Sequence, residues 1–170
     1  MKIEEYLSTL PQSILSGEEI QIPPDTIRDI FRFVDLGKND IFYHLGCGDG
    51  TSLLIARQEF DVKDAIGIDN SKKMIDVAKK MVSGNNISNI KLVEQDILEA
   101  EFTDANVILC WFMDPEILEK MIEKFKKLKH DVRIITIWAP LPGCLPQKVD
   151  FPYIINKTPF IETDDLKKQL

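Results

Sequence analysis

Cysteine is scarce in this chain of 170 residues. The three that occur, Cys47, Cys110 and Cys144, stand far apart and form no Cys-x-x-Cys pair. Neither a zinc ribbon nor a disulfide framework is expected, and no metal site. Long apolar runs are missing too; none approaches the roughly 18 residues of a membrane-spanning helix. The acidic start, Met1-Lys2-Ile3-Glu4-Glu5, lacks a signal-peptide apolar stretch, so a cytoplasmic location away from membranes is expected. Basic excess is also absent. A net charge of −7 argues against a mainly electrostatic nucleic-acid binder, which needs a basic face to displace counterions. An acidic surface suits a basic partner, although most acidic proteins are simply soluble. No internal repeat or low-complexity segment occurs.

What is present is a core-forming sequence. Hydrophobic residues make up 44% of it, and the length suits one α/β domain. Residues 1–22 read as a helical extension, with Ile3, Tyr6, Leu7 and Leu10 on one face and Pro11 ending the helix. Residues 23–170 read as the domain. Pro23-Pro24-Asp25 opens a helix whose stripe is Ile27, Ile30, Phe31 and Val34. From Asp40 strands and helices alternate. Strands are expected over 40–45, 65–69, 90–93, 106–112 and 132–138. Helices are expected over 51–60, after an N-cap at Ser71, and after Asp114-Pro115. Continuous apolar strands alternating with amphipathic helices predict a doubly wound, mostly parallel sheet with helices on both faces. The loop 139–146 follows, then one last strand over 153–160 and a helix start at Asp164.

The first strand runs into Gly46-Cys47-Gly48-Asp49-Gly50. Glycine has no Cβ, so such a turn can take positive φ and let a ligand lie against bare backbone. The first-turn N–H groups of the next helix are expected to point at that ligand, which favours a carboxylate or phosphate. Two further sites end later strands. Asp69 stands 19 residues after Gly50, where a carboxylate can accept both ribose hydroxyls of a nucleoside. Gln95-Asp96-Ile97 follows the third strand, where Asp96 can accept an adenine amino group and Ile97 can pack on the ring. All three lie on the sheet edge where doubly wound folds bind ligands. The spacing Gly-x-Gly-x-Gly differs from the Gly-x-Gly-x-x-Gly of nicotinamide and flavin folds.

With Leu45-Gly46-Cys47-Gly48-Asp49-Gly50, Asp69 and Asp96 in order, the chain resembles a class I S-adenosylmethionine-dependent methyltransferase. The resemblance covers about residues 23–138. Within that superfamily it is most similar to the small archaeal protein lysine methyltransferases. The resemblance implies S-adenosylmethionine as cofactor and a protein lysine, or a small molecule, as methyl acceptor. It implies that the Gly46–Gly50 loop approaches the methionyl part, with Pro23 and Pro24 near that end. Asp69 would bind the ribose, Asn70 would lie against the adenine and Asp96 would hold its amino group. Cys110, Trp111 and Phe112 would face the methyl group and the acceptor.

Two departures stand out. The family has an acid before Leu-Gly-Cys-Gly, which helps hold the cofactor's amino group; here the residue is His44. A neutral imidazole accepts one hydrogen bond from an ammonium and a protonated one repels it, so weakened or pH-dependent cofactor affinity is expected. The C-terminal antiparallel strand pair is expected to be shortened to one strand. These departures keep an alternative open, a catalytically weak or inactive S-adenosylmethionine-binding protein. A nicotinamide-dependent oxidoreductase is a third reading, against the glycine spacing. No Asn/Asp-Pro-Pro-Tyr motif follows the fourth strand, which argues against amide and exocyclic-amine chemistry. Asp114 is expected to cap a helix rather than act as a base. Trp111 reads equally as channel wall or core, and Cys110, at a strand end, reads as core. Cys47 and His130 are not expected to be catalytic, and the run Lys124, Lys126, Lys127, Lys129 reads as a solvated helix face.

Overall fold

The computed structural model of the protein describes residues 21–111 and 114–164. The expected helix over residues 3–10, the helix expected after Asp164 and the side chain of Phe112 lie outside them. Helix α1 (Pro24–Phe33) starts on proline, whose missing N–H costs nothing in the first turn. Its stripe Ile27, Ile30, Phe31 is buried, with Val34 at the C-cap. Then come β1 (Ile41–Leu45), α2 (Thr51–Glu59), β2 (Asp64–Asp69), α3 (Lys72–Gly84), β3 (Ile90–Glu94), β4 (Val107–Cys110), α4 (Pro115–Phe125), β5 (Arg133–Ile137), β6 (Lys148–Asp150) and β7 (Tyr153–Lys157). Ser71 caps α3 by accepting from Met74 N, and Asp114 caps α4 by accepting from Glu116 N and Ile117 N.

The strands form one sheet in the order β3-β2-β1-β4-β5-β7-β6. β1 to β5 pair in parallel, and β7 runs antiparallel between β5 and β6. Strand order reverses between β1 and β4, which opens a crevice at their C-terminal ends. Side chains alternate between the faces. Phe42, Val107, Leu109 and Ile135 pack with α1 and α2 residues such as Phe31 and Leu53. Tyr43, Leu45, Ile108 and Ile134 pack with Met121 and Phe125 of α4. Both faces are therefore apolar, as a sheet covered on two sides requires.

Three expectations change at the sheet's second half. The C-terminal pair is present rather than reduced to one strand, because Lys148–Asp150 pairs with Tyr153–Ile155. β6 is only three residues long and wholly exposed, so no buried apolar face builds it. β4 stops at Cys110 rather than at residue 112: its partner β1 ends at Leu45, where the glycine loop turns away. β5 stops at Ile137, because Trp138 takes a left-handed φ of 74°. Among the described residues no helix is long and apolar enough to cross a membrane.

Candidate active site

The β1–α2 turn is built by glycine. Gly46, Gly48 and Gly50 have φ of 80°, 54° and 80°, which an L side chain rarely adopts. Gly46 is exposed, and a Cβ there would meet nothing within 4 Å, so the backbone faces open space. Gly50 is the N-cap of α2 and is packed 3.0 Å, by the position of an added Cβ, from Ala78 of α3.

Most of the loop amides are taken up within the protein, while those of Asp49 in the loop and Ser52 in the first turn of α2 have no hydrogen-bond partner among the described residues. Gly46 N–H and Cys47 N–H both donate to Ile68 O, at 2.8 and 3.1 Å. Gly48 N–H donates to Asp69 Oδ2 at 2.9 Å, Gly50 N–H to Cys47 O at 3.1 Å, and Thr51 N–H to Asp49 Oδ1 at 2.9 Å. Asp69 Oδ1 accepts from Ser71 N–H at 2.9 Å. One carboxylate thus fastens the glycine loop to the start of α3. Each of its oxygens keeps a further lone pair for another donor.

A cleft opens between this loop, the start of α1 and the end of β4. His44, Gly46, Cys47, Asp49 and Trp111 line it, and so does Ile27 of α1. Ile22 lines it as well, which brings the segment beside Pro23 and Pro24 to the glycine loop. Asn70 and Asp96 lie beyond the enclosed part, exposed, at the ends of β2 and β3. Gln95 N–H donates to Asp69 O at 3.0 Å and ties those two ends together. Asp96 Oδ1 accepts from Leu98 N–H at 2.9 Å, and Ile97 is half-buried against the core.

Cys110 does not face the cleft. It is fully buried on the opposite face of the sheet with Leu45 and Met121, because β4 alternates and Leu109 takes the α1 side. Burial pushes the thiols of Cys47 and Cys110 up to about 12, so neither is a nucleophile at neutral pH. Trp111 stands over the end of β4 and meets Trp138 edge to face, with centroids 4.8 Å apart at 87°. Its Nε1 is sealed and without a hydrogen-bond partner among the described residues.

His44 is 7% exposed and its Nδ1 lies 2.6 Å from Ser52 Oγ on α2. Burial pushes its pKa down to about 4. The ring is therefore neutral from pH 5.5 to 8, and the expected pH dependence of cofactor affinity through His44 is withdrawn. Sequence reasoning missed three residues here. Gly67 of β2 admits the side chain of Cys47: a Cβ at Gly67 would sit 2.6 Å from Cys47 Sγ and 2.6 Å from Leu53 Cδ1. An isolated glycine inside a strand was the available signal. Ser52 and Trp138 carried none, since only the fold sets them beside His44 and Trp111.

A family model, the ANTKMT methyltransferase domain, matches residues 44–148, from His44 at the cleft to the start of β6. The chain belongs to this methyltransferase family. It is 26% identical over 133 residues to a protein-lysine N-methyltransferase of Saccharolobus islandicus, covering 76% of this chain and 81% of that one. An RNA methyltransferase from Salinibacter ruber, in complex with S-adenosyl-L-homocysteine, shares the fold. The TM-score is 0.76 at 18% identity, over 82% of this chain and 94% of that one. PKMT2 from Rickettsia typhi, in complex with AdoHcy, is similar at a TM-score of 0.54 and 25% identity. There the match covers 72% of this chain but 26% of the larger protein. The chain is an S-adenosylmethionine-dependent methyltransferase of class I fold.

Proposed function

We propose that this methyltransferase modifies the side-chain amine of a protein lysine, with the cofactor lying across the strand ends from His44 to Asp96. The observation that carries the acceptor is the likeness to the Saccharolobus protein-lysine methyltransferase over four fifths of that protein. The residues present fit the cofactor. Bare backbone at Gly46 takes the methionyl part, and Asp69 accepts from the ribose hydroxyls with the lone pairs its two backbone bonds leave. Asn70 would lie against the adenine, Asp96 would accept from its amino group, and Ile97 would border the ring. When bound, S-adenosylmethionine supplies an electrophilic methyl group on a sulfonium whose leaving group is neutral.

Little acid or base catalysis is then required of the chain, and alignment dominates. Asp114 is occupied by capping α4, with Oδ1 2.8 Å from Glu116 N, so it is not the base. What a lysine does need is to arrive without its proton. The Trp111–Trp138 wall beside the cleft disfavours an ammonium by withholding water, which lowers the amine's pKa. Release of that proton goes to solvent. A cofactor-binding protein without transfer activity loses one of its two sequence motives, since the C-terminal strand pair is present; His44 remains in the acid's place.

The test is incubation with methyl-labelled cofactor and lysine-bearing proteins, followed by acid hydrolysis. Label recovered in methyl-lysine is the expected result. Label confined to RNA, to another side chain or to a small molecule would overturn the acceptor.

A further inference from the structure

Ser52 sets which nitrogen of His44 carries the proton, and that choice decides what the cleft recognises. Ser52 is 2% exposed, and its hydroxyl has no partner among the described residues except His44 Nδ1 at 2.6 Å. Two arrangements satisfy that distance. If Nδ1–H donated to Oγ, the buried serine proton would have no acceptor, an unmade hydrogen bond of the costly kind. If the serine O–H donates to Nδ1, both groups are satisfied, and the imidazole proton sits on Nε2. Nε2 itself has no protein partner among the described residues. The ring lines the cleft beside the glycine loop.

We infer that the His44–Ser52 pair presents Nε2–H to the cleft as a neutral hydrogen-bond donor and recognises the carboxylate of the cofactor's methionyl group, not its ammonium. This rests on the cofactor placement proposed above. It reverses the role expected of this position, where an acid would accept from the amino group. The pair also sits at the first turn of α2, a helix of 9 residues whose N-terminus carries partial positive charge, which favours an anion. In this arrangement Ser52 is a positioning residue and His44 touches the cofactor.

Two measurements test this. The chain has only two histidines, so nitrogen-15 shifts of the imidazoles in the free protein are readily assigned. At neutral pH His44 is expected as the Nε2–H tautomer. Ser52→Ala should mix the tautomers, and Ser52→Thr, which keeps the hydroxyl, should restore the single one. A wild-type ring protonated at Nδ1 would overturn the inference. Calorimetry then compares S-adenosylhomocysteine with its decarboxylated analogue. His44→Ala is expected to weaken the first by about tenfold or more, and the second by less than about threefold, because the lost bond is to a charged group. Equal losses, or a larger loss toward the ligand that keeps only the amino group, would overturn it. If the wild type bound neither ligand, the cofactor placement would fall, and the carboxylate assignment with it. The tautomer, measured without ligand, keeps that failure distinct from a wrong proton position.

Discussion

At the scale of single residues, His44 predicts a pH signature in stability. Its ring ordinarily takes a proton near pH 6.5, whereas burial holds it down to about 4 in the folded protein. Between those values the unfolded chain binds the proton and the folded one does not. Stability from this residue is therefore full above pH 6.5 and declines as the pH falls toward 4. By pH 5 the loss is about 2 kcal/mol relative to pH 7.5. Urea unfolding of wild type and His44→Gln at both pH values checks this, since the difference between the two proteins isolates the imidazole. A difference independent of pH would contradict it. Gly67→Ala tests the packing under the loop. The new Cβ would lie 2.6 Å from Cys47 Sγ, so a loss of roughly 1–3 kcal/mol is expected in the same titration. Wild-type stability would show that Cys47 is free to move. Part of the candidate site was legible at this scale: the alternating glycines after the first strand do line the cleft, and carboxylates close the second strand and follow the third. Ser52 was not, because a serine in a helical stripe carries no mark of the partner that the β1–α2 turn brings to it.

Among elements, the two ends of the sheet do different work, and Arg133 separates them. It begins β5 and donates to Val34 O at 2.7 Å and Asp35 O at 3.1 Å, while pairing with the carboxylate of Asp40. It thus joins the end of α1, the residue before β1 and the start of β5, at the edge opposite the cleft. Arg133→Met should lower stability by roughly 2–4 kcal/mol, since the buried Asp40 carboxylate is left without its cationic partner. Cofactor affinity, read by calorimetry on the folded variant, should stay within about twofold of wild type. A large fall in affinity at full stability would mean that this edge communicates with the site. The alternating strands and helices through β5 were readable from apolar periodicity. β6 was not: Lys148-Val149-Asp150 is exposed throughout and has no apolar alternation. It is held by pairing with β7 and by Lys148, whose ammonium donates to Phe33 O at 2.7 Å and lies 4.5 Å from the Phe33 ring centroid. The contacts of Lys148 with Phe33 join residues more than a hundred positions apart and leave no local trace.

For the molecule as a whole, the sheet's reversal between β1 and β4 places one crevice at the C-terminal strand ends, and the residues with chemistry converge there. The net charge of −7 suits a basic protein acceptor. The central claim is that this crevice holds S-adenosylmethionine through the glycine loop and Asp69. The most direct test is calorimetry of S-adenosylhomocysteine binding to the wild type and to Asp69→Ala. Micromolar binding by the wild type is predicted. The variant should lose about tenfold or more, because it removes the ribose acceptor together with the carboxylate that fastens Gly48 and Ser71. No binding by the wild type at millimolar ligand, or equal binding by both proteins, would contradict the account.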